Sequence, residues 1–271
     1  AAIKVGSDFE AGMSKVQSIS GASATEIQQL ADKAKEMGAK TKFSATESAE
    51  AFQYMAMAGW KTSGMLDGIE GIMNLAAASG EDLGTTSDIV TDALTAFNLK
   101  ASDSTHFADV LAQASANANT NVSKMGQTFQ YVAPVAGAMG YSIEDTALAI
   151  GLMANAGIKG EKAGTALRSI FTRLSDPPSD AAEAIEKLGL SITNTDGSMR
   201  PLNDVMKDLR KSFAGLTQEQ KVQMASQLAG QEAMSGLLAL VNASEEDYNK
   251  LAEAIGNADG ASKKMADNVK S

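Results

Sequence analysis

The run KFSATESAEAFQYMAMAGWK at 42–61 is answered by YSIEDTALAIGLMANAGIKG at 141–160, and this self-similarity constrains the fold more than any other feature of the chain. With Phe43 set over Tyr141, Ser44 pairs with Ser142, Glu47 with Asp145, Ala49 with Ala147, Met55 with Met153 and Ala58-Gly59 with Ala156-Gly157, all without a gap. A third echo, QTFQYVAPVAG at 127–137, repeats the FQY of 52–54 and needs one inserted residue near Pro134. A copied helical unit implies a chain built by stacking or extension, which suits spanning and binding better than a single catalytic pocket.

The material for such units is unusual. Aromatic residues make up only 5% of the chain while Ala, Gly, Met and Ser are abundant, so the core has to form by close helix approach over small side chains with Met as filler. There is no Cys, which removes disulfides, thiolate metal sites and a Cys nucleophile together. The net charge is −10, and residues 62–158 carry 10 acidic against 2 basic side chains. Without a basic stripe to displace counterions, sequence-specific nucleic-acid binding is not expected. The start, AAIKVGSDFEAGMSKV, has no basic region followed by an apolar one, and the chain reads as a segment of a longer protein.

Helix signals dominate the rest. Ser or Thr followed three residues later by an acid or amide occurs at Ser23/Glu26, Ser44/Glu47, Thr85/Asp88, Ser142/Asp145, Thr217/Gln220 and Ser244/Asp247, each ahead of apolar residues at helical spacing. Gly38, Gly59, Gly80, Gly157 and Gly189 stand where helices should end. The spacing predicts helices over 7–20, 24–38, 45–59, 64–79, 86–97, 102–117, 123–138, 143–156, 161–174, 179–189, 202–214, 217–229, 231–242 and 245–269. Asp196-Gly197, between short arms at 191–193 and 198–200, predicts one small β-hairpin near 190–200. The fold class is therefore all-α, repeated helical hairpins rich in Ala, Gly and Met with that single hairpin. Its expected divisions are N-terminal helices at 1–40 continuing from upstream, a repeat-bearing core at 41–175, a proline-containing joint at 176–202, and a C-terminal helical block at 203–271.

No catalytic set can be assembled. In the turn near 190–200, Asn194, Asp196 and Gly197 fall at positions 3, 5 and 6 of a calcium loop, but Ile192 and Asn203 occupy the positions that need anionic ligands. The single histidine, His106, cannot form a two-histidine metal face and reads as a partly exposed surface residue. Glu144 and Asp145 are adjacent, so on a helix they diverge by about 100° and a capping role suits Asp145 better than glycosidase chemistry. No catalytic, metal or cofactor residue is assigned. In a chain this poor in aromatics, Phe52, Tyr54, Trp60, Phe129 and Tyr131 are the candidate interaction residues, with ordinary core as the competing reading. Between 110 and 158 the only charged residues are Lys124, Glu144 and Asp145. The plain reading is a buried helical hairpin, and the sharper one a segment able to meet a membrane.

Several long phrases resemble one family in order: SDFEAGMSKVQSISGASATEIQQLADKAKEMGAKTKFSATESAEAFQYMAMAGWK, NLAAASGEDL, FADVLAQASANANTNV, YVAPVAGAMG, GLMANAGIKGEKAGTALRSIFTRL and LSITNTDGSMRPLNDVMKDL. From about residue 7 to 242 the chain resembles the core region of phage tail tape measure proteins of the TP901 type. The resemblance implies a structural, non-enzymatic component of a phage, prophage or phage-like tail that helps set tail length and is released through the tail tip at DNA ejection. It also implies tail tube protein, tail assembly chaperones and tail-tip proteins as partners, self-association, and a place in the tail lumen or tip after assembly in the host cytoplasm. A membrane-active module contacting the host envelope through 110–158 is the alternative, and a peptidoglycan hydrolase comes last. A passage built for DNA cannot hold a compact 271-residue globule, roughly 48 Å across, so long helices are the expected form inside a tube.

Overall fold

A computed structural model describes residues 1–270 and is helical throughout. The helices are α1 (Ala2–Ser20), α2 (Ala24–Lys40), α3 (Ala45–Met57), α4 (Thr62–Ser79), α5 (Leu83–Ala96), a 3-10 turn (Ala101–Asp103), α6 (Ser104–Ala116), α7 (Val122–Ala138), α8 (Ile143–Asn155), α9 (Gly160–Ser175), α10 (Ser179–Leu188), α11 (Leu202–Ala214), α12 (Gln218–Ala229), α13 (Met234–Asn242), α14 (Glu245–Gly256) and α15 (Ala261–Lys270). They form two compact units, one of residues 1–112 with 258–271, the other of 113–257.

The repeated phrase becomes the same helix–turn–helix in both units. Ser44 Oγ accepts from the Glu47 N–H at 3.0 Å, and Ser142 Oγ from the Asp145 N–H at 3.0 Å, satisfying a donor that the first helical turn leaves unpaired. Both helices then run thirteen residues. Gly59 (φ 90°) and Gly157 (φ 87°) reverse the backbone, and the next N–H reaches back over the last turn: Trp60 to Met55 O at 3.1 Å, Ile158 to Met153 O at 3.0 Å. Lys61 and Lys159 precede the second helix at the same offset of 98 residues. This closure, with an apolar residue donating back to the sixth residue of the helix end, recurs at Leu99, Tyr141 and Leu190. Asn98 takes the glycine's place in the first of these, with φ 55°.

In the first unit α4 is the axis, with eleven of its eighteen residues buried. Its small side chains allow the backbones to touch: a β-carbon at Gly71 would lie 2.7 Å from the Thr105 amide nitrogen of α6. The unit is completed by α15, the chain's returning segment, which packs on α4. Asp109, buried on α6, accepts the Gly260 N–H at 2.9 Å and the Ser262 N–H and hydroxyl at 2.9 and 2.6 Å, so its carboxylate caps the N-terminus of α15 from a neighbouring helix.

In the second unit α8 is the axis, with ten of thirteen residues buried. Leu251 of α14 fits against Gly151, and Met153 against Gly236 of α13. α7 lies on α9 with Tyr131 over Gly164, and the Thr128 hydroxyl donates to Gly160 O at 2.7 Å. The near absence of charge in 110–158 is thus accounted for by burial of α7 and α8 faces within this unit.

The β-hairpin expected near 190–200 is not there: among the described residues no strand forms, and Thr193 and Met199 share one isolated bridge. The arms are too short, confined between the end of α10 at Gly189 and Pro201, and Ile192 alone of their residues is buried, so no apolar face holds a ladder together. The Asp196 carboxylate instead accepts from Ser198 at 2.9 and 2.6 Å and tightens the turn locally.

Other expectations also shift. Gly38 lies inside α2, where a β-carbon would stand 2.6 Å from the Ala45 nitrogen, so it is a close-approach glycine and not a helix end. Asp82, one turn ahead of the expected cap, caps α5 by accepting the Thr85 N–H at 2.7 Å. The single helix at 245–269 is broken by Asn257 and Gly260 into α14 and α15, because the Asp109 cap fixes a new helix start. Among the described residues the longest helix has 19 residues, and left-handed glycines directly follow α1, α4 and α10 at Gly21, Gly80 and Gly189.

Valine at Gly59 is expected to destabilise the first unit by about 1–2 kcal/mol or more, because a β-branched residue resists a left-handed backbone. The same change at Gly157 should act alike on the second unit, and urea melts would show it. Unchanged midpoints in both would remove the closures from any structural role.

Candidate functional site

The five candidate aromatics divide between the units and between two environments. Phe52 in the first unit and Phe129 in the second are fully buried. Tyr54, Trp60 and Tyr131 are half-buried, and each rests on a glycine of the neighbouring helix. Tyr54 crowds Gly84, where a β-carbon would fall 2.8 Å from its Cζ. Trp60 covers Gly68, where one would fall 2.3 Å from Cζ3, and Tyr131 covers Gly164 at 2.4 Å from its own Cβ. A hydrogen bond to Glu161 pushes the Tyr131 phenol up, and desolvation, with Glu50 and two aspartates nearby, does the same to Tyr54.

The polar constellations serve structure. Asp145, capped residue of α8, turns its carboxylate to the Asn203 N–H at 3.0 Å, the first turn of α11, and so does not close the capping box as Glu47 does in the first copy. Burial raises its pKa, with the Asn203 bond acting in the opposite sense. Asn203 also accepts the Tyr248 hydroxyl, and the Arg210 guanidinium lies 4.6 Å from the Tyr248 ring centre while donating to Leu240 O at 2.8 Å. This network ties α8, α11, α13 and α14 together. His106 Nδ1 stands 3.6 Å from Asp259 Oδ1 at the surface. Among the described residues no three His, Asp or Glu side chains are grouped to hold a metal.

A feature not anticipated from the sequence is a cleft of about 710 Å³ between α9 and the start of α13. Ile158, Ala166, Ala233 and Gly236 line it low down, and Glu161, Lys162, Thr165 and Glu232 stand at its mouth.

Residues 31–230 match the profile of a family described as phage-related minor tail protein. The chain belongs to that family. It is 42% identical to the tape measure protein of Pneumococcus phage Dp-1 over 269 residues, 99% of this chain and 23% of that protein. It is 28% identical to the probable tape measure protein of Escherichia phage P2 over 260 residues, 94% of this chain and 32% of the relative. The chain thus spans less than a third of the length of either relative. No solved structure matches it.

Two tyrosines give the second unit an alkaline limit. Tyr141 stacks edge-on against Phe171 with ring centres 5.1 Å apart, and its buried hydroxyl has no hydrogen-bond partner among the described residues. Burial pushes its pKa well above the usual tyrosine value, and burial, with Arg210 opposing, pushes Tyr248 up to about 12. Both folded pKa values exceed the unfolded value near 10. Their contribution is therefore intact below about pH 10 and declines as pH rises through about 12. Tyr141→Phe should raise stability by about 1 kcal/mol, since it removes an unsatisfied hydroxyl, and should blunt the alkaline loss in a pH series of thermal melts. A less stable variant would mean that the hydroxyl is bonded.

Proposed function

We propose that the chain is the helical core of a tape measure protein, a structural component of a phage tail that helps set tail length and leaves through the tail tip when the genome is released. The observation that carries this is the near-complete coverage of the chain, 99%, by a tape measure relative at 42% identity. The fold supports it: two copies of one helix–turn–helix unit, with carboxylates and hydroxyls engaged in caps and helix ties, form a scaffold for contacts rather than chemistry.

Its partners on this reading are tail tube protein, tail assembly chaperones and tail-tip proteins, together with further copies of itself, and its place is the tail lumen or tip. The second unit is roughly 38 Å across for its length, a size that suits a folded place at the tip or outside the tube better than one inside it. Short helices, packed over cores in which Ala and Met are frequent, would let the chain exchange internal contacts for external ones when it passes. Burial explains the low charge of 110–158, and among the described residues no helix is long and apolar enough to cross a membrane. No specific observation favours the membrane-active or hydrolase readings over the tail role.

Electron microscopy of particles tests it. In-frame deletions in helical stretches of the encoding gene outside this segment should shorten tails by about 1.5 Å per residue removed, and deletion of the segment itself should abolish tails of defined length. Tails of unchanged length in the first series would contradict the proposal.

A further inference from the structure

The second unit carries a cationic cleft between α11 and α14. Lys207, Arg210 and Lys211 stand at i, i+3 and i+4 of α11, which on a helix is one face, and with Glu245, Tyr248 and Asn249 of α14 they line a cavity of about 440 Å³. Like charges at that spacing work against a helix, and the chain has 33 acidic side chains with which to offset them. It does not do so here. Among the described residues neither lysine has an ion-pair partner, and Asp208, at helical spacing from Lys211, is taken by Arg200 at 2.8 Å. The arginine between them is fixed in place. Its guanidinium lies 4.6 Å from the ring centre of the buried Tyr248 and donates to Leu240 O at 2.8 Å. Tyr248 is held in turn by the bond from its hydroxyl to Asn203, whose N–H donates to Asp145 at 3.0 Å. A guanidinium positioned in advance loses little freedom on meeting an oxyanion, and its planar fork matches a carboxylate.

We propose that this cleft binds two carboxylates, one helical turn apart, on an acidic helix of another protein chain. The rise from Lys207 to Lys211 is about 6 Å along α11, which matches the spacing of side chains at i and i+4 on such a helix. Both lysines are exposed, so they can close on a ligand that the fixed arginine orients. A continuous phosphate backbone fits this place less well. Glu245 stands in the cleft wall, Glu246 and Asp247 follow it in the first turn of α14, and the chain as a whole carries a net charge of −10. Negative charge that runs on beyond the cleft is therefore repelled, while two carboxylates inside it meet three cations against a single acid. Asn249 adds an amide donor at the edge.

The test is an NMR titration of the 271-residue chain, at low salt, with an alanine-based helical peptide carrying two glutamates at i and i+4. Saturable shifts at Lys207, Arg210, Lys211, Tyr248 and Asn249 are expected, and added salt should weaken them. Replacing both of the peptide's glutamates by glutamine should weaken binding at least tenfold, about 1.4 kcal/mol. Lys207→Gln with Lys211→Gln, both at exposed positions, should abolish the shifts while leaving the melting temperature unchanged. Lys207→Glu alone should also abolish them, and decides the matter if the double variant does not fold. No saturable shifts, equal binding of the glutamine peptide, or shifts that survive the lysine changes would each overturn the proposal. Inorganic phosphate that binds the same residues more tightly than the peptide would overturn it by making the ligand a phosphate. Self-association of the chain that the lysine changes abolish, without peptide binding, would overturn it by making the occupant a second copy. The assay needs no tail, so its outcome is separate from that of the tape measure reading.

Discussion

Everything in this chain depends on how its helices end. The core sets buried Phe, Leu, Ile and Val among many Ala, Gly and Met, the small residues let helices lie close together, and the unpaired carbonyls of each helix end have to be met within the few residues that join one helix to the next. The backward bonds from Trp60, Leu99, Tyr141, Ile158 and Leu190 do this for five of them, each with a left-handed residue just before. After Trp60, Tyr141 and Ile158 the next helix begins two residues on, at Thr62, Ile143 and Gly160, and the spacing of small residues along it decides which neighbour can approach.

That constraint explains why the duplicated unit could diverge without losing its shape. Caps and closures are common to both copies, while the side chains set upon them are not. Glu47 closes a local capping box, whereas Asp145 reaches to Asn203 and joins a network with Tyr248 and Arg210. Trp60 covers Gly68 in the first copy, whereas in the second the corresponding Ala166 is met by Gly236 of α13.

Much of this was legible in the sequence, and the limits have physical causes. Caps and glycine closures are local, so Ser44, Ser142, Gly59, Gly157 and Gly189 announce themselves by spacing alone. Gly38 looks the same as these in sequence, yet serves close packing against Ala45, because what a glycine does depends on which backbone arrives beside it. The break between α14 and α15 was hidden for the same reason: it follows from Asp109, about 150 residues away, accepting the amides at Gly260 and Ser262. The turn at 190–200 carried the right residues for a hairpin, but a ladder also needs a buried face, which the pattern of three-residue arms could not show. Scarcity marks out the aromatic residues, but it does not separate the buried Phe52 and Phe129 from the half-buried Tyr54, Trp60 and Tyr131.

The central claim is that these closures, and not side-chain bulk, hold the helix–turn–helix units. Native-state hydrogen exchange reads it directly, at five amides that sit in connecting segments: Trp60, Leu99, Tyr141, Ile158 and Leu190. The account predicts that they exchange as slowly as the amides of the helices they follow, because each is bonded back across a helix end. Exchange at the rate of free loops, with the helices protected on either side, would contradict it.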